Sequence, residues 1–299
     1  APVAKAEAPK HAAIFKPLPE HMHEGAVPDP ALVDLGRMLY YEHRLSKNQE
    51  LSCNSCHLLD QYGVDNEPTS EGHKGVRGDR NSPTTYNAAV HLAQFWDGRE
   101  PTVEAQAKGP ILNPVEMAMP EAPVVERTLR SIPGYVSAFE KAFPGQDDPV
   151  NYENMAIAIG AFERGLVTPS PFDAYLAGDT SALTPAQATG LDTFVETGCT
   201  TCHMGVGVGG SMYQKLGLVK PYPTEDPGRF KATGNEGDRY FFKVPSLRNV
   251  TKTAPYYHDG SVGTLDEAVS LMARHQLGKE LSGEQVEAIV SFLGALEGE

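Results

Sequence analysis

Long apolar runs are missing from this chain. No stretch approaches the roughly 18 consecutive apolar residues of a transmembrane helix, so no membrane insertion is expected. Basic residues are scarce, with Lys+Arg 25 against Asp+Glu 39 and a net charge of -14. So acidic a surface repels nucleic acid and anionic membrane, and it would steer in a basic partner. Tryptophan occurs once, at Trp96, and cysteine only four times. No alternating pattern bounded by hairpin turns marks a strand, which points to an all-α fold. Gly 29 and Pro 24 fall short of a disordered composition but require long loops. A length of 299 residues corresponds to about two domains. The chain starts at Ala1 without a charged-then-apolar leader, the form expected of an exported protein whose signal peptide has been removed.

What cysteine there is falls in one pattern, used twice: Cys53-Asn54-Ser55-Cys56-His57 and Cys199-Thr200-Thr201-Cys202-His203. C-x-x-C-H is the attachment signature of c-type haem, in which two thiols add across the vinyl groups and the adjacent histidine ligates iron. Two short-loop disulfides or one split zinc site are the alternatives. Zinc favours pairs within about 20 residues of each other, and here nearly half the chain intervenes. Covalent haem is the reading that uses every residue of both motifs.

The rest of the chain reads as one unit used twice. Residues 1–27 are rich in Ala, Pro, Lys and His without periodicity, as in an extended arm. From Pro28, Leu32, Leu35 and Leu39 recur at helical spacing before the first haem motif. Tyr152, Met155, Ile159, Phe162 and Leu166 mark a later helix, and a proline-rich connector follows it. In the second half Thr184-Pro185-Ala186-Gln187 is a capping box with proline at the first helical position. That helix carries Leu191, Phe194 and Val195 and stops at Gly198, just before Cys199. Ser282-Gly283-Glu284-Gln285 opens a last helix with Val286, Ile289, Val290, Leu293 and Leu296 on its buried stripe. Helix, haem motif, loops and closing helix, twice over, predict two cytochrome c-like domains, 28–168 and 169–299.

His57 and His203 each supply one axial ligand, and low-spin haem needs a second, Met or His, whereas catalytic haem leaves the position open. For the second haem the choices are Met204, Met212 and Met272. Met204 is too close to His203 to cross to the opposite face, and Met212 is cramped in a glycine-rich loop. Met272 lies just before the closing helix, where a small cytochrome c brings back its methionine, and it is preferred. At the corresponding place after His57 stands Asn113-Pro114-Val115-Glu116-Met117-Ala118-Met119. Met117 or Met119 could ligate iron, or Glu116 could hold a carboxylate over an open position. His73, in a loop flanked by Gly72, Gly75 and Gly78, could bind iron and also leave it.

From about residue 28 to 296 the chain resembles the bacterial dihaem cytochrome c peroxidases. The resemblance rests on both haem motifs, GH at 72–73, RNSPT at 80–84, FWDGR at 95–99, NPVEM at 113–117, FERGLVTP at 162–169, VPSLRNV at 244–250 and PYYHDG at 255–260. It implies a low-potential, peroxide-reducing haem in the N-terminal domain and a high-potential, electron-accepting haem in the C-terminal one. His73 resembles the displaceable distal ligand, Glu116 with Gln106 the distal acid–base pair, Trp96 the ring between the haems, and Met272 the sixth ligand of the second haem. Arg99, Arg248 and His258 fall in matching motifs, where they could neutralise haem propionates or pack near the haems. The family also binds calcium between its domains, and Asn81 with the carbonyls of Thr253 and Pro255 falls at the matching positions.

The resemblance further implies a periplasmic homodimer that takes electrons from a small donor, a c-type cytochrome or a cupredoxin. Reduction of the second haem would shift the domain interface and free His73, and Glu116 would then shuttle a proton as hydrogen peroxide is cleaved to water. Two rivals are a dihaem electron carrier without catalysis and an enzyme that oxidatively matures a cofactor in a partner protein. In the second class a tyrosine replaces the distal methionine, so Met272 argues against it.

Overall fold

A computed structural model describes residues 9–299. Its regular structure is helical apart from one small ladder. Helix α1 (Pro30–Tyr40) begins where Asp29 Oδ1 accepts the Ala31 N–H at 2.8 Å and Pro30 presets the first turn. It buries Leu35, Leu39 and Tyr40. The short α2 (Cys53–Cys56) is the first haem motif itself. α3 (Val103–Leu112), α4 (Ala122–Arg130) and α5 (Pro133–Ala142) follow, and α6 (Tyr152–Glu163) closes the half. α6 stops before Leu166 because the chain turns at Gly165, whose N–H bonds back to Phe162 O at 3.0 Å.

The second half holds α7 (Pro171–Leu176), α8 (Pro185–Thr197), α9 (Phe230–Thr233), α10 (Leu265–Met272) and α11 (Gly283–Gly294). Both expected capping boxes form. Thr184 Oγ1 accepts Gln187 N–H at 3.2 Å while Gln187 Oε1 accepts Thr184 N–H at 2.9 Å, and Ser282 and Gln285 do the same at 3.3 and 3.0 Å. The ladder joins β1 (Tyr213–Lys215) antiparallel to β2 (Phe241–Lys243), with Gln214 opposite Phe242. Strands of three residues are too short to show alternation, so the pattern gave no sign of them.

Two main cores result, beside a smaller cluster of Tyr257, Val262 and Ala268. Leu35, Leu39, Ile111, Leu129, Phe139 and Ile159 belong to the first; Phe172, Leu191, Phe194, Ile289, Phe292 and Leu296 belong to the second. Each is built on the same helix crossing. Gly36 of α1 faces Ala158 and Phe162 of α6, and Gly190 of α8 faces Ala288 and Phe292 of α11. In both, a Cβ on the glycine would overlap the alanine carbonyl and come within 2.9 Å of the phenylalanine Cβ. Only glycine lets the two backbones approach this closely.

The repeat extends into the loops. Asn87, Phe95 and Gly98 have positive φ (59°, 65° and 62°), and so, at one constant interval, do Asn249, Tyr257 and Gly260 (58°, 72° and 65°). The bridge Gln94–Glu100 recurs as Tyr256–Val262, and the caps Thr102 and Thr264 open α3 and α10. The equivalent segments meet where the halves join. Lys243 N–H donates to Trp96 O at 2.7 Å, and Asn81 N–H donates to His258 O at 2.8 Å. Those two bonds interchange under the repeat, as at a twofold interface.

Residues 1–8 of the expected arm lie outside the described residues. Residues 9–27 begin with a turn over 10–14 and continue without a helix, and they are stitched to the body. Phe15 is buried edge-on to Phe172 with centroids 5.2 Å apart, and Leu18 N–H donates to Asp173 Oδ1 at 2.7 Å. Asp173 is in turn clamped by the fully buried Arg248 at 2.8 and 2.9 Å. Burial works against the Asp173 carboxylate, yet the bonds from Arg248, Ser170 and Leu18 hold its pKa below the ordinary value.

Candidate functional site

The second haem motif is positioned by the stop of α8. Gly198, at φ 98°, turns the chain so that Cys199–Thr201 forms a short 3-10 turn, and His203 N–H bonds Cys199 O at 3.0 Å. Cys199, Cys202 and His203 line a largely apolar cavity together with Ile289 and Leu293 of α11. Burial pushes the Cys199 thiol up to about 11 and drops the His203 imidazole to about 4, so the ring is neutral. Its Nδ1 lies 3.3 Å from Val208 O, with Pro245 O also facing it, which leaves Nε2 as the nitrogen free for a metal. Met272 lines the same cavity at the end of α10, where a π turn (Ala273–Leu277) continues the helix. Met204 is exposed, and neither it nor Met212 is among the lining residues.

The first motif is held differently. Ser52 and Ser55 cap α2 reciprocally, and His57 N–H bonds Cys53 O at 3.0 Å. His57 is half-buried, and desolvation lowers its pKa and favours the neutral ring; the Gly63 and Pro83 carbonyls face it, but its buried Nδ1 has no partner in good hydrogen-bond geometry among the described residues. Burial raises the Cys53 thiol to about 12 and Cys56 to about 11. All four cysteines are free thiols, and the two motifs sit in different halves. Paired free thiols, each followed by a neutral histidine, fit covalent haem at both places. When bound, haem would be held by Cys53, Cys56 and His57 in the first half and by Cys199, Cys202, His203 and Met272 in the second.

His73 and Glu116 are joined through their backbones. His73 N–H is shared between Val115 O at 3.0 Å and Glu116 O at 2.8 Å. Gly72 is required here, since a Cβ would overlap Val115 O and come within 2.9 Å of Glu116 Cα. Beyond this clamp the loop reverses through Lys74 (φ 59°) and Gly75 (φ 73°), with residues 74–77 exposed. Glu116 is half-buried, and desolvation raises its pKa against the opposing effects of Arg99 and an Asn113 hydrogen bond. It is close enough to Cys56 for its charge to act on that thiol. Gln106 sits half-buried on α3, and Glu116 N–H bonds Asn113 O at 3.1 Å. Met117 and Met119 are buried in the first core.

Trp96 lines the second cavity, with Nε1–H donated to Asn81 O at 2.9 Å and its ring edge-on to His258 at 6.5 Å. Asn81, Thr253 and Pro255 line that cavity too. Asn81 gives its Nδ2 to Glu67 O at 3.0 Å, so its Oδ1 is the end left for a cation. Arg99 stacks on Phe95 at 3.4 Å and pairs with Asp97 at 3.1 Å. Three polar residues near the sites escaped the sequence reading: Lys243 and Glu163, which are buried, and His91, half-buried with its Nε2 inside. Their types are ordinary, and only burial sets them apart.

Known proteins bear on this arrangement. The family model for di-haem cytochrome c peroxidase matches residues 30–181. The chain is 48% identical to the cytochrome c551 peroxidase of Pseudomonas aeruginosa, over 99% of its own length and 88% of that protein. It is also 48% identical to the cytochrome c551 peroxidase of Nitrosomonas europaea, over 90% and 80%. A solved MauG-like protein associated with microbial copper homeostasis shares the fold, with TM-score 0.81 and 28% identity over 99% of this chain and 96% of that one. With both haem motifs, the histidines that follow them and the duplicated helical frame accounted for, the chain belongs to the di-haem cytochrome c peroxidase family.

Proposed function

We propose that this protein is a cytochrome c peroxidase that reduces hydrogen peroxide to two molecules of water, using two electrons from a small donor protein and two protons. The two halves, 28–168 and 169–299, divide the work between a peroxidatic site and an electron-entry site. When bound, two covalent haem c groups would relay the donor's electrons and supply the redox-active iron. The residues of the chain do the rest. His57 and His203 are neutral rings presenting Nε2, and Met272 provides the thioether that favours the reduced state in the second half. Glu116 takes a proton from one peroxide oxygen and returns it to the departing one; burial raises its pKa toward the range where one group can do both. His73 covers the peroxide position and withdraws from it, its loop pivoting beyond the backbone bonds to Val115 and Glu116.

The observation that carries this reading is the docking of the His73 backbone on the Glu116 segment, which puts gate and proton shuttle in one unit. Asn81 with the Thr253 and Pro255 carbonyls is the calcium site in this reading, next to the bonds that join the halves. The donor is a c-type cytochrome or a cupredoxin, and the acidic surface suits a basic one. The working protein is a periplasmic homodimer. The test is Glu116→Gln: both haem spectra and the rate of electron entry stay at wild type while peroxide turnover falls roughly 10²–10⁴-fold. Near-normal turnover would remove Glu116 as the shuttle.

A further inference from the structure

The cavity lined by His203 and Met272 is largely apolar, but one corner is not. There Lys243 Nζ lies 2.8 Å from His91 Nδ1, and both residues line the cavity. An ammonium can only donate, so His91 Nδ1 is the acceptor and the ring proton sits on Nε2. That Nε2 is buried and has no partner among the described residues. The corner therefore presents two donors and lacks an acceptor.

The pair also lacks a counter-ion. Lys243 is 5% exposed, and among the described residues no carboxylate lies within 4.0 Å of its Nζ. The acidic group that acts on it is Asp97, whose carboxylate is already held by Arg80 at 2.7 Å and Arg99 at 3.1 Å. Desolvation drops Lys243 to about 7, the signature of a buried cation awaiting an anion. The corner is also firmly built. Lys243 is fixed by pairing with Tyr213 across the ladder and by its bond to Trp96 O. His91 is fixed by Gly210, where a Cβ would intrude on the ring and lie 3.1 Å from both Cγ and Nε2.

We propose that Lys243 and His91 seat a propionate carboxylate of the second haem. This rests on the haem assignment made above. The carboxylate supplies the acceptor that Lys243 and His91 Nε2 both need, and it arrives with the prosthetic group that fills the cavity. Arg248, one of the residues expected near propionates, is not free for this task, because Asp173 and Val206 O occupy its guanidinium. A cation at the propionate favours electron uptake, so Lys243 helps set the potential of the electron-entry haem.

The test uses holoprotein of wild type, Lys243→Met, Lys243→Arg and His91→Gln, with haem content first counted by intact mass. Fewer than two haems on the wild-type chain would refute the haem reading itself. With two present, each haem is titrated spectroelectrochemically and the propionate bending modes are followed by resonance Raman. Lys243→Met is expected to weaken reduction of the second haem at least tenfold, 59 mV for one electron, and to move its propionate mode. Lys243→Arg should stay close to wild type, and the first haem should be nearly unaffected. If Lys243→Met does not load its second haem, His91→Gln carries the same expectations for the propionate mode. An unchanged second-haem potential and mode, or equal shifts at both haems, would overturn the assignment.

Discussion

Replacing Gly190 by alanine sets two effects of opposite sign against each other. Alanine is the better helix former by about 1 kcal/mol, and Gly190 lies within α8, so propensity alone predicts stabilisation. Packing predicts the reverse. The new Cβ would sit inside the van der Waals envelope of the Ala288 carbonyl oxygen and 2.9 Å from both Ala288 C and Phe292 Cβ. These are backbone and core atoms of α11, so no rotamer change relieves the overlap and the helices must part. Overpacking of this kind costs about 1–3 kcal/mol, more where backbone must move, so the expected net loss is about 2 kcal/mol. That corresponds to a fall in Tm of roughly 4–8 °C. Because Ile289 and Leu293 of α11 line the second cavity, the parting should also admit water beside His203. Gly294→Ala is the control: no atom lies within 4 Å of its added Cβ, so it should be neutral or slightly stabilising. Thermal unfolding of the two variants by circular dichroism decides the matter. A Gly190→Ala protein as stable as Gly294→Ala would refute the close-approach argument and with it the common crossing of the two halves.

Met272→His should lower the potential of the second haem and stop donor-driven turnover; a lowered potential in Met212→His instead would reassign the ligand. His73→Gly should leave the oxidised first haem high-spin and reactive to peroxide without prior reduction. If wild type is already high-spin when oxidised, His73 is a loop residue and not a gate. Glu163 is buried, and desolvation, helped by the charge of Glu104, lifts its pKa from 4.5 to about 8. A carboxyl raised in the folded state weakens the fold as pH climbs from 4.5 to 8. Glu163→Gln should therefore gain on wild type across that interval, by up to about 5 kcal/mol, with no gain near pH 4.5; urea unfolding at several pH values measures the difference.

The features that proved readable in the sequence share one property: they are local. The capping boxes at Thr184 and Ser282 bond residues three apart, so composition alone reports them. Gly198 announces its own left-handed turn, and each haem motif brings thiols and histidine together within five residues. The duplication was legible as a repeated plan, and the matched turns at Phe95–Gly98 and Tyr257–Gly260 carry it into the loops. Some local signs misled by a little. Leu166 continued the periodicity past the point where Gly165 turns the chain, and the glycines near His73 read as uniform flexibility. Gly72 is instead a tight backbone contact, while Gly75 and Gly78 are open.

By itself, then, the sequence determined four of the helices, α1, α6, α8 and α11, the capping boxes that open two of them, and the two Cys-x-x-Cys-His motifs. Those depend on bonds between near neighbours and on the chemistry of single side chains. Tertiary structure alone decided that the arm from Pro9 onward is sewn to the second core through Phe15 and Asp173, and that Arg248 is already occupied there. It also decided that Lys243 is buried against His91 with no carboxylate in reach among the described residues. The reason is physical. Burial and the loss of a partner are properties of the space around a group, and that space is assembled from residues far apart along the chain.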